Sequence, residues 1–152
     1  MKIDIDNVVE SGVTITADER SQVYDFDTSL IPPNTIISVK VFAQFVAKRL
    51  VVRGQIHTNV HFECSRCLNT FQYHVDIPEY TFDCTAQKGD IIDLTDTIRE
   101  HIIIALPMKP LCSSRCKGIC PNCGEDLNSS SCTCSNNIVD ERFKGLDKLK
   151  FE

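Results

Sequence analysis

No stretch of this sequence stays apolar for long enough to cross a bilayer as a helix. The opening residues, Met1-Lys2-Ile3-Asp4-Ile5-Asp6, lack the apolar core of a signal peptide. Both absences lead us to expect a cytoplasmic protein with no membrane partner. Basic excess is missing too, since 16 Lys and Arg stand against 21 Asp and Glu, a formal net charge of −5. A protein that coats nucleic acid without regard to sequence draws its affinity from neutralised phosphates, and so needs a strongly basic surface. This composition excludes that mode, and any RNA contact must come from a local patch. The charge is also uneven. Residues 1–106 hold 9 Lys and Arg with 15 Asp and Glu, whereas residues 107–152 hold 7 and 6. Paired carboxylates, a Ser-His-Asp set and a phosphate-cradling glycine loop are likewise absent, so catalysis has no support in the sequence.

Cysteine, by contrast, is plentiful, with nine in 152 residues. Cys64-Ser-Arg-Cys67 forms one pair, and Cys112, Cys116, Cys120, Cys123, Cys132 and Cys134 crowd one short stretch. Cys84 alone stands apart and reads as a small buried hydrophobe or an exposed spectator. Four thiolates satisfy a tetrahedral Zn²⁺ and leave no open coordination position. Eight clustered thiols therefore predict two closed structural sites holding two Zn²⁺ ions. Disulfides are rare in the cytosol, where C-x-x-C pairs more often hold metal, and the odd cysteine count also argues against a secreted disulfide scaffold. Closing short loops costs little entropy, which favours a local site of Cys120, Cys123, Cys132 and Cys134. Cys64, Cys67, Cys112 and Cys116 would then form a long-range site. A zinc-ribbon grouping that joins the two C-x-x-C pairs, Cys64/Cys67 with Cys120/Cys123, stays open. Cys132 and Cys134 are the weakest link, because residues one apart diverge unless the backbone turns.

Alternation of apolar and polar residues marks the first half as antiparallel sheet. Ile37, Val39, Val41, Ala43 and Phe45 alternate with Ser38, Lys40 and Gln44, with Phe42 interrupting the pattern. Leu50, Val52, Ile56, Val60 and Phe62 share one face of the next strand, and Arg53, Gln55, His57, Asn59, His61 and Glu63 the other. Phe71, Tyr73, Val75 and Ile77 continue the alternation after a tip at Cys64–Thr70. Weaker strand candidates lie at Ile3–Asp6, Val13–Thr16 and Val23–Phe26. His57, His61 and His74 share polar strand faces and read as solvated sheet rather than as a metal site. Asp93 or Thr95 caps an expected helix over 93–106, with Leu94, Ile98, Ile102, Ala105 and Leu106 on its buried stripe and Pro107 ending it. His101 falls beside that stripe. Phe143, Leu146 and Leu149 suggest a short terminal helix over Asp140–Leu149. The expected fold is α+β, mainly antiparallel β-sheet with one principal helix and a C-terminal cysteine-rich zinc-binding lobe. Its expected parts are a β-rich domain at 1–106 and a zinc lobe at 107–152, joined by metal to the 64–67 tip.

Several motifs occur together in a distinctive order. They are C-S-R-C-L with a nearby aromatic (Cys64–Leu68, then Phe71), L-P-M-K-P (Leu106–Pro110), C-K-G-I-C-P-N-C-G (Cys116–Gly124) and the charged D-E-R-F-K-G-L-D-K-L (Asp140–Leu149). From Val52 onward the chain resembles the YceD family, the bacterial and plastid family named for large ribosomal RNA subunit accumulation. The resemblance implies a non-catalytic factor in large ribosomal subunit biogenesis that supports 23S rRNA processing or accumulation. The implied partners are the large-subunit precursor, 23S rRNA or a ribosomal protein. Arg66, Arg115, Lys117, Arg142 and Lys144 lie near the thiol clusters and form the candidate RNA-facing patch; the alternative is that they only solubilise the surface. The acidic N-terminal region would suit a basic protein partner. Two other function classes fit the thiols: an iron-thiolate redox or electron-transfer protein, and a zinc-ribbon nucleic-acid-binding regulator.

Overall fold

A computed structural model describes residues 1–26 and 31–134. Its main body is a four-stranded antiparallel sheet ordered β2-β3-β4-β5, formed by Val13–Arg20, Ile36–Val46, Arg49–Glu63 and Thr70–Thr85. A smaller sheet pairs β1 (Lys2–Asp4) with β6 (Ile91–Asp93). One α-helix, α1 (Thr95–Ala105), follows β6 directly. The chain is thus mainly antiparallel sheet with one helix.

The alternation read from the sequence decides which face is buried. Ile37, Val39, Val41 and Ala43 of β3 and Leu50, Val52, Ile56 and Val60 of β4 are each at most 1% exposed. Ile98 and Ile102 of α1, with Leu94, press onto this face, and Ile3, Ile5, Tyr24 and Ile31 complete the same core. Tyr80 of β5 is fully buried, and its hydroxyl lies 2.8 Å from Thr97 Oγ1. His101 stands edge-on to the Tyr80 ring at 4.9 Å, with Nδ1 2.8 Å from the Thr97 carbonyl. That places His101 in helix packing. Tyr24 donates to Glu19 at 2.5 Å, and burial together with that carboxylate pushes its phenol up.

Four expectations need correction. Val23–Phe26 is not a strand, because Ser21–Tyr24 form a 3₁₀ turn that closes at Asp25 in a left-handed conformation and buries the Tyr24 ring. The helix starts at Thr95 rather than at 93, since Asp93 is spent on pairing with Lys2 in the small sheet. Asp93 still serves the helix start, for its carboxylate accepts from the Thr95 amide at 3.0 Å. Ala105 is exposed because the helix ends there and Leu106 turns into extended backbone. β5 runs well past Ile77, through a bulge where Gly54 faces Tyr80 but Ile56 faces Ile77. Pro78, which has no amide hydrogen to give the ladder, sits in that bulge. The helix expected at Asp140–Leu149 lies outside the described residues, as do Arg142 and Lys144.

Candidate metal centres

The β4–β5 hairpin and the loops after α1 bring the thiols together. At the hairpin tip the Cys64 amide donates to the Asn69 carbonyl at 2.9 Å, and the Leu68 amide returns to the Cys64 carbonyl at 3.0 Å. Leu68 takes the left-handed conformation that this turn requires, at φ 60°. The second C-x-x-C turn repeats the device. There the Cys120 amide donates to Glu125 at 2.8 Å, and Gly124, at φ 73°, returns to Cys120 at 2.9 Å. Both turns aim their two sulfurs to one side.

The sulfurs gather in two sets of four. Cys64, Cys67, Cys112 and Cys116 form one set, and Cys120, Cys123, Cys132 and Cys134 the other, with all ligand atoms of a set within 4.8 Å of one another. The two C-x-x-C turns therefore do not share one centre as they would in a zinc ribbon. The Cys64 and Cys116 sulfurs are 3.8 Å apart, and those of Cys67 and Cys112 are 3.7 Å apart. A tetrahedron with Zn–S bonds of about 2.3 Å has an edge of about 3.8 Å. The donor set thus fits one thiolate-bound ion. An iron–sulfur cluster would place iron and sulfide between the thiolates and spread them further. All eight thiols are free of disulfides.

Local hydrogen bonds tune individual sulfurs. The backbone N–H of Cys112, with those of Cys67 and Arg66, holds the Cys64 thiol down to about 6 against the burial that opposes it. Backbone N–H groups of Cys123 and Asn122 do the same for Cys120, also to about 6. Desolvation and the surrounding thiols push Cys112 up to about 12. In each set, backbone N–H groups favour the ionised form of one sulfur. Four sulfurs cannot all ionise side by side without a cation between them. Cys84, in contrast, packs half-buried against the main core, and burial raises its thiol.

The first set sits in a small cluster of its own, with Cys64, Cys67 and Cys116 buried against Phe71, Leu111 and Ile119. Ser65 donates to the Pro110 carbonyl at 2.9 Å, and the Ile119 amide donates to the Arg66 carbonyl at 3.1 Å. Gly118, at φ 78°, lets that approach occur, since a Cβ there would lie 3.0 Å from the Arg66 oxygen. Arg66 Nη1 also donates to the Cys116 carbonyl at 2.9 Å, so part of this guanidinium works inside the lobe. Arg115 and Lys117 flank Cys116 and are exposed.

The sequence reading missed three residues that join the two sets. The Asn128 side-chain amide donates to the Cys116 sulfur at 3.4 Å, and its oxygen accepts from the Lys117 amide at 2.8 Å. Asp126 accepts from Asn69 of the hairpin tip at 3.0 Å and from the Asn128 amide at 2.9 Å. The only signal available was Asp-Leu-Asn, a local turn former inside a cysteine cluster. His57, His61 and His74 do not converge on a ligand point. His57 pairs with Asp76 at 3.0 Å, and His74 contacts Asn59.

The grouping yields a direct test. In Cys64→Ser, the 64/67/112/116 set should lose its metal and the segment around Cys112 should loosen, while Cys120 and Cys123 keep theirs. Cadmium NMR of the variant checks this through the resonances assigned to each set. Loss of the Cys120/Cys123 resonance with Cys112 still ligated would contradict it.

A sequence model of the family described as "Large ribosomal RNA subunit accumulation protein YceD" matches residues 79–150. That match leaves the Cys64–Cys67 tip outside it. An uncharacterized protein of Mycobacterium tuberculosis is 25% identical over 114 residues, covering 65% of this chain and 55% of its own length. The chain thus spans about half the length of that relative. YlbN of Bacillus subtilis, also uncharacterized, is 28% identical over 133 residues, covering 74% of this chain and 73% of its own. The maize protein named large ribosomal RNA subunit accumulation protein YCED homolog 1, chloroplastic, is 40% identical over 60 residues, covering 39% of this chain and 19% of its own. No solved structure matches. Among the described residues no helix is long and apolar enough to cross a membrane. Over residues 79–150 the chain is similar to the YceD family of large ribosomal RNA subunit accumulation proteins.

Proposed function

We propose that this protein is a non-catalytic factor of large ribosomal subunit biogenesis whose C-terminal lobe is held by two structural Zn²⁺ ions. The observation that carries the metal reading is the gathering of eight thiols into two sets of four. When bound, each ion would supply a rigid tetrahedral crosslink, and the chain's own residues would do the rest. Cys64 and Cys67 present the hairpin tip, Cys112 and Cys116 fasten the segment after α1, and the remaining four thiols close the last loop. Such sites have no open coordination position, which favours a structural role over a hydrolytic one. Support for the ribosomal reading comes from the family match and from the names of the plant relatives.

On this reading the protein works in the cytoplasm on 23S rRNA or its precursor particle. Arg66, Arg115 and Lys117 ride on the metal-fastened turns, so little backbone entropy is lost when they meet phosphate. Arg142 and Lys144 would extend that patch. The test is co-sedimentation of the tagged chain with large-subunit precursors in cell lysate. The wild type should travel with precursor particles. The Arg66→Ala/Arg115→Ala/Lys117→Ala variant should bind them more weakly, with a salt dependence flatter by roughly 2 to 3 units of slope. A wild-type protein that never enters precursor fractions would overturn the ribosomal reading. A folded variant that binds as the wild type does across the salt series would reduce these three charges to solubility.

A further inference from the structure

The core lies on one face of the β2-β3-β4-β5 sheet, and among the described residues the opposite face is uncovered. Strand register arranges that face in rows. Phe42 stands between Thr14 and Arg53, and Lys40 between Thr16 and Gln55. Further along, His57 faces Ser38 and Asp76, Asn59 faces His74, and His61 faces Gln72. In these rows planar groups dominate, with one phenyl ring, one guanidinium, three imidazoles and three carboxamides. Phe42 is 43% exposed although it lies mid-strand, and its ring tip is seated against Gly12, where a Cβ would come within 2.0 Å of it.

Lys40 and Arg53 are exposed and have no ion-pair or hydrogen-bond partner for their side chains among the described residues. The carboxylates of the central rows are already engaged. Asp18 accepts from Ser38 at 2.6 Å, and Asp76 pairs with His57. Among the described residues, Glu79 at the bulge lines the same recess as the two cations and has no ion-pair or hydrogen-bond partner for its side chain. Lys40, Phe42 and Arg53 line a recess of about 680 Å³ that the bulge at Gly54 and Pro78 opens. A second recess of about 370 Å³, lined by His57, Asn59 and His74, lies further along the same face.

Two successive recesses walled by planar side chains suit a chain of bases better than one compact ligand. Unpaired bases stack on Phe, His and Arg planes, and carboxamides hydrogen-bond their edges. We infer that this sheet face binds single-stranded RNA, with a base stacked on Phe42 and phosphates met by Lys40 and Arg53. The inference rests on the ribosomal RNA reading and names the surface and strandedness that serve it. Recognition by stacking also agrees with an acidic chain, because only two phosphates need be neutralised. Counterion release at this face then contributes about −1.4 to the salt slope for a single strand, separate from any share of the lobe's cations.

The probe is a fluorescent single-stranded oligoribonucleotide of about 12 nucleotides, a length within the usual site sizes of such surfaces. Anisotropy with the full chain should show binding to the strand and much weaker binding to the same sequence as a duplex. Phe42→Ala should weaken strand binding by roughly tenfold with the salt slope unchanged. Lys40→Gln/Arg53→Gln, two surface changes that spare the core, should flatten the slope by about 1.4. Absence of strand binding by the wild type would overturn the inference, as would wild-type affinity in both variants. Wild-type entry into precursor particles under those outcomes would leave the ribosomal reading standing. If Phe42→Ala lost precursor association with strand binding unchanged, the face would be a protein-docking surface and the inference would fail.

Discussion

Stripping the metal under reducing conditions should unfold residues 110–134 while the sheet and α1 remain intact. The two parts rest on cores of very different size. The main core joins both sheets and α1 through more than a dozen fully buried aliphatic and aromatic side chains. The lobe has only Cys64, Cys67 and Cys116 buried, with Phe71, Leu111 and Ile119 partly so. Three of those six are the proposed metal ligands. So little apolar burial cannot offset the ordering of those 25 residues, at about 1–2 kcal/mol of backbone entropy each. Metal binding to thiolate sites, on the order of 10 kcal/mol or more, would supply the missing term. Amide hydrogen exchange should show protection lost at Cys116, Ile119 and Cys120, whose amides bond within the lobe, and kept at Val39, Val52 and Ile98. A lobe still protected after complete metal removal would contradict this assignment.

Gly54→Ala should destabilise the whole domain by about 3 kcal/mol, although the change adds one methyl group. The position lies at the β4–β5 bulge, opposite Val41. A Cβ there would come 2.2 Å from the Lys40 carbonyl oxygen and 2.6 Å from Val41 Cα. Both are backbone atoms of a paired central strand, so neither can swing aside as a side-chain end would. Relief requires β3 and β4 to part where their hydrogen bonds hold the core together. Gly12→Ala makes a useful comparison, since the obstacle there is the tip of the Phe42 ring, which can rotate away, and the remaining cost is the positive φ. Urea denaturation of both variants checks the order, with Gly54→Ala the more damaging. A Gly54→Ala midpoint equal to that of the wild type would show that the bulge does not need its glycine.

How far the sequence revealed this molecule depended on whether each signal was local. β3 and the first part of β5 were readable because one buried face imposes period two on Ile37–Ala43 and Phe71–Ile77. Phe42 looked like an interruption because burial was assumed for every large apolar side chain; it lies on the open face. The second half of β5 was hidden by the bulge. There the inward positions change from Val75 and Ile77 to Tyr80, Phe82 and Cys84, so alternation read without a break fails at Pro78. A slip of one residue moves every later side chain to the other face. A strand was expected at Ile3–Asp6 and the chain forms one at Lys2–Asp4 before a 3₁₀ turn at Ile5–Asn7, but its pairing with β6 was beyond reach because it joins residues about ninety apart.

The thiols were readable for the opposite reason, since their chemistry confines them to few arrangements and loop entropy ranks those. Loop length alone placed Cys120 with Cys134 and sent Cys64 to Cys112. Cys132 and Cys134 join the same set of four despite standing one residue apart, in a stretch that is neither strand nor helix. Asn69, Asp126 and Asn128 could not be read at all. Their value lies in bridging the hairpin tip and the last loop, and nothing in the Asn69 side chain announces a partner 57 residues away.

The central proposal is two thiolate-held zinc ions in one chain. Native mass spectrometry of protein purified without chelator, with an absorption spectrum of the same sample, tests it most directly. The expected result is the mass of the chain plus two zinc ions in a colourless protein. A chain mass without bound metal would contradict the account, and so would a visible thiolate-to-iron band with iron in place of zinc.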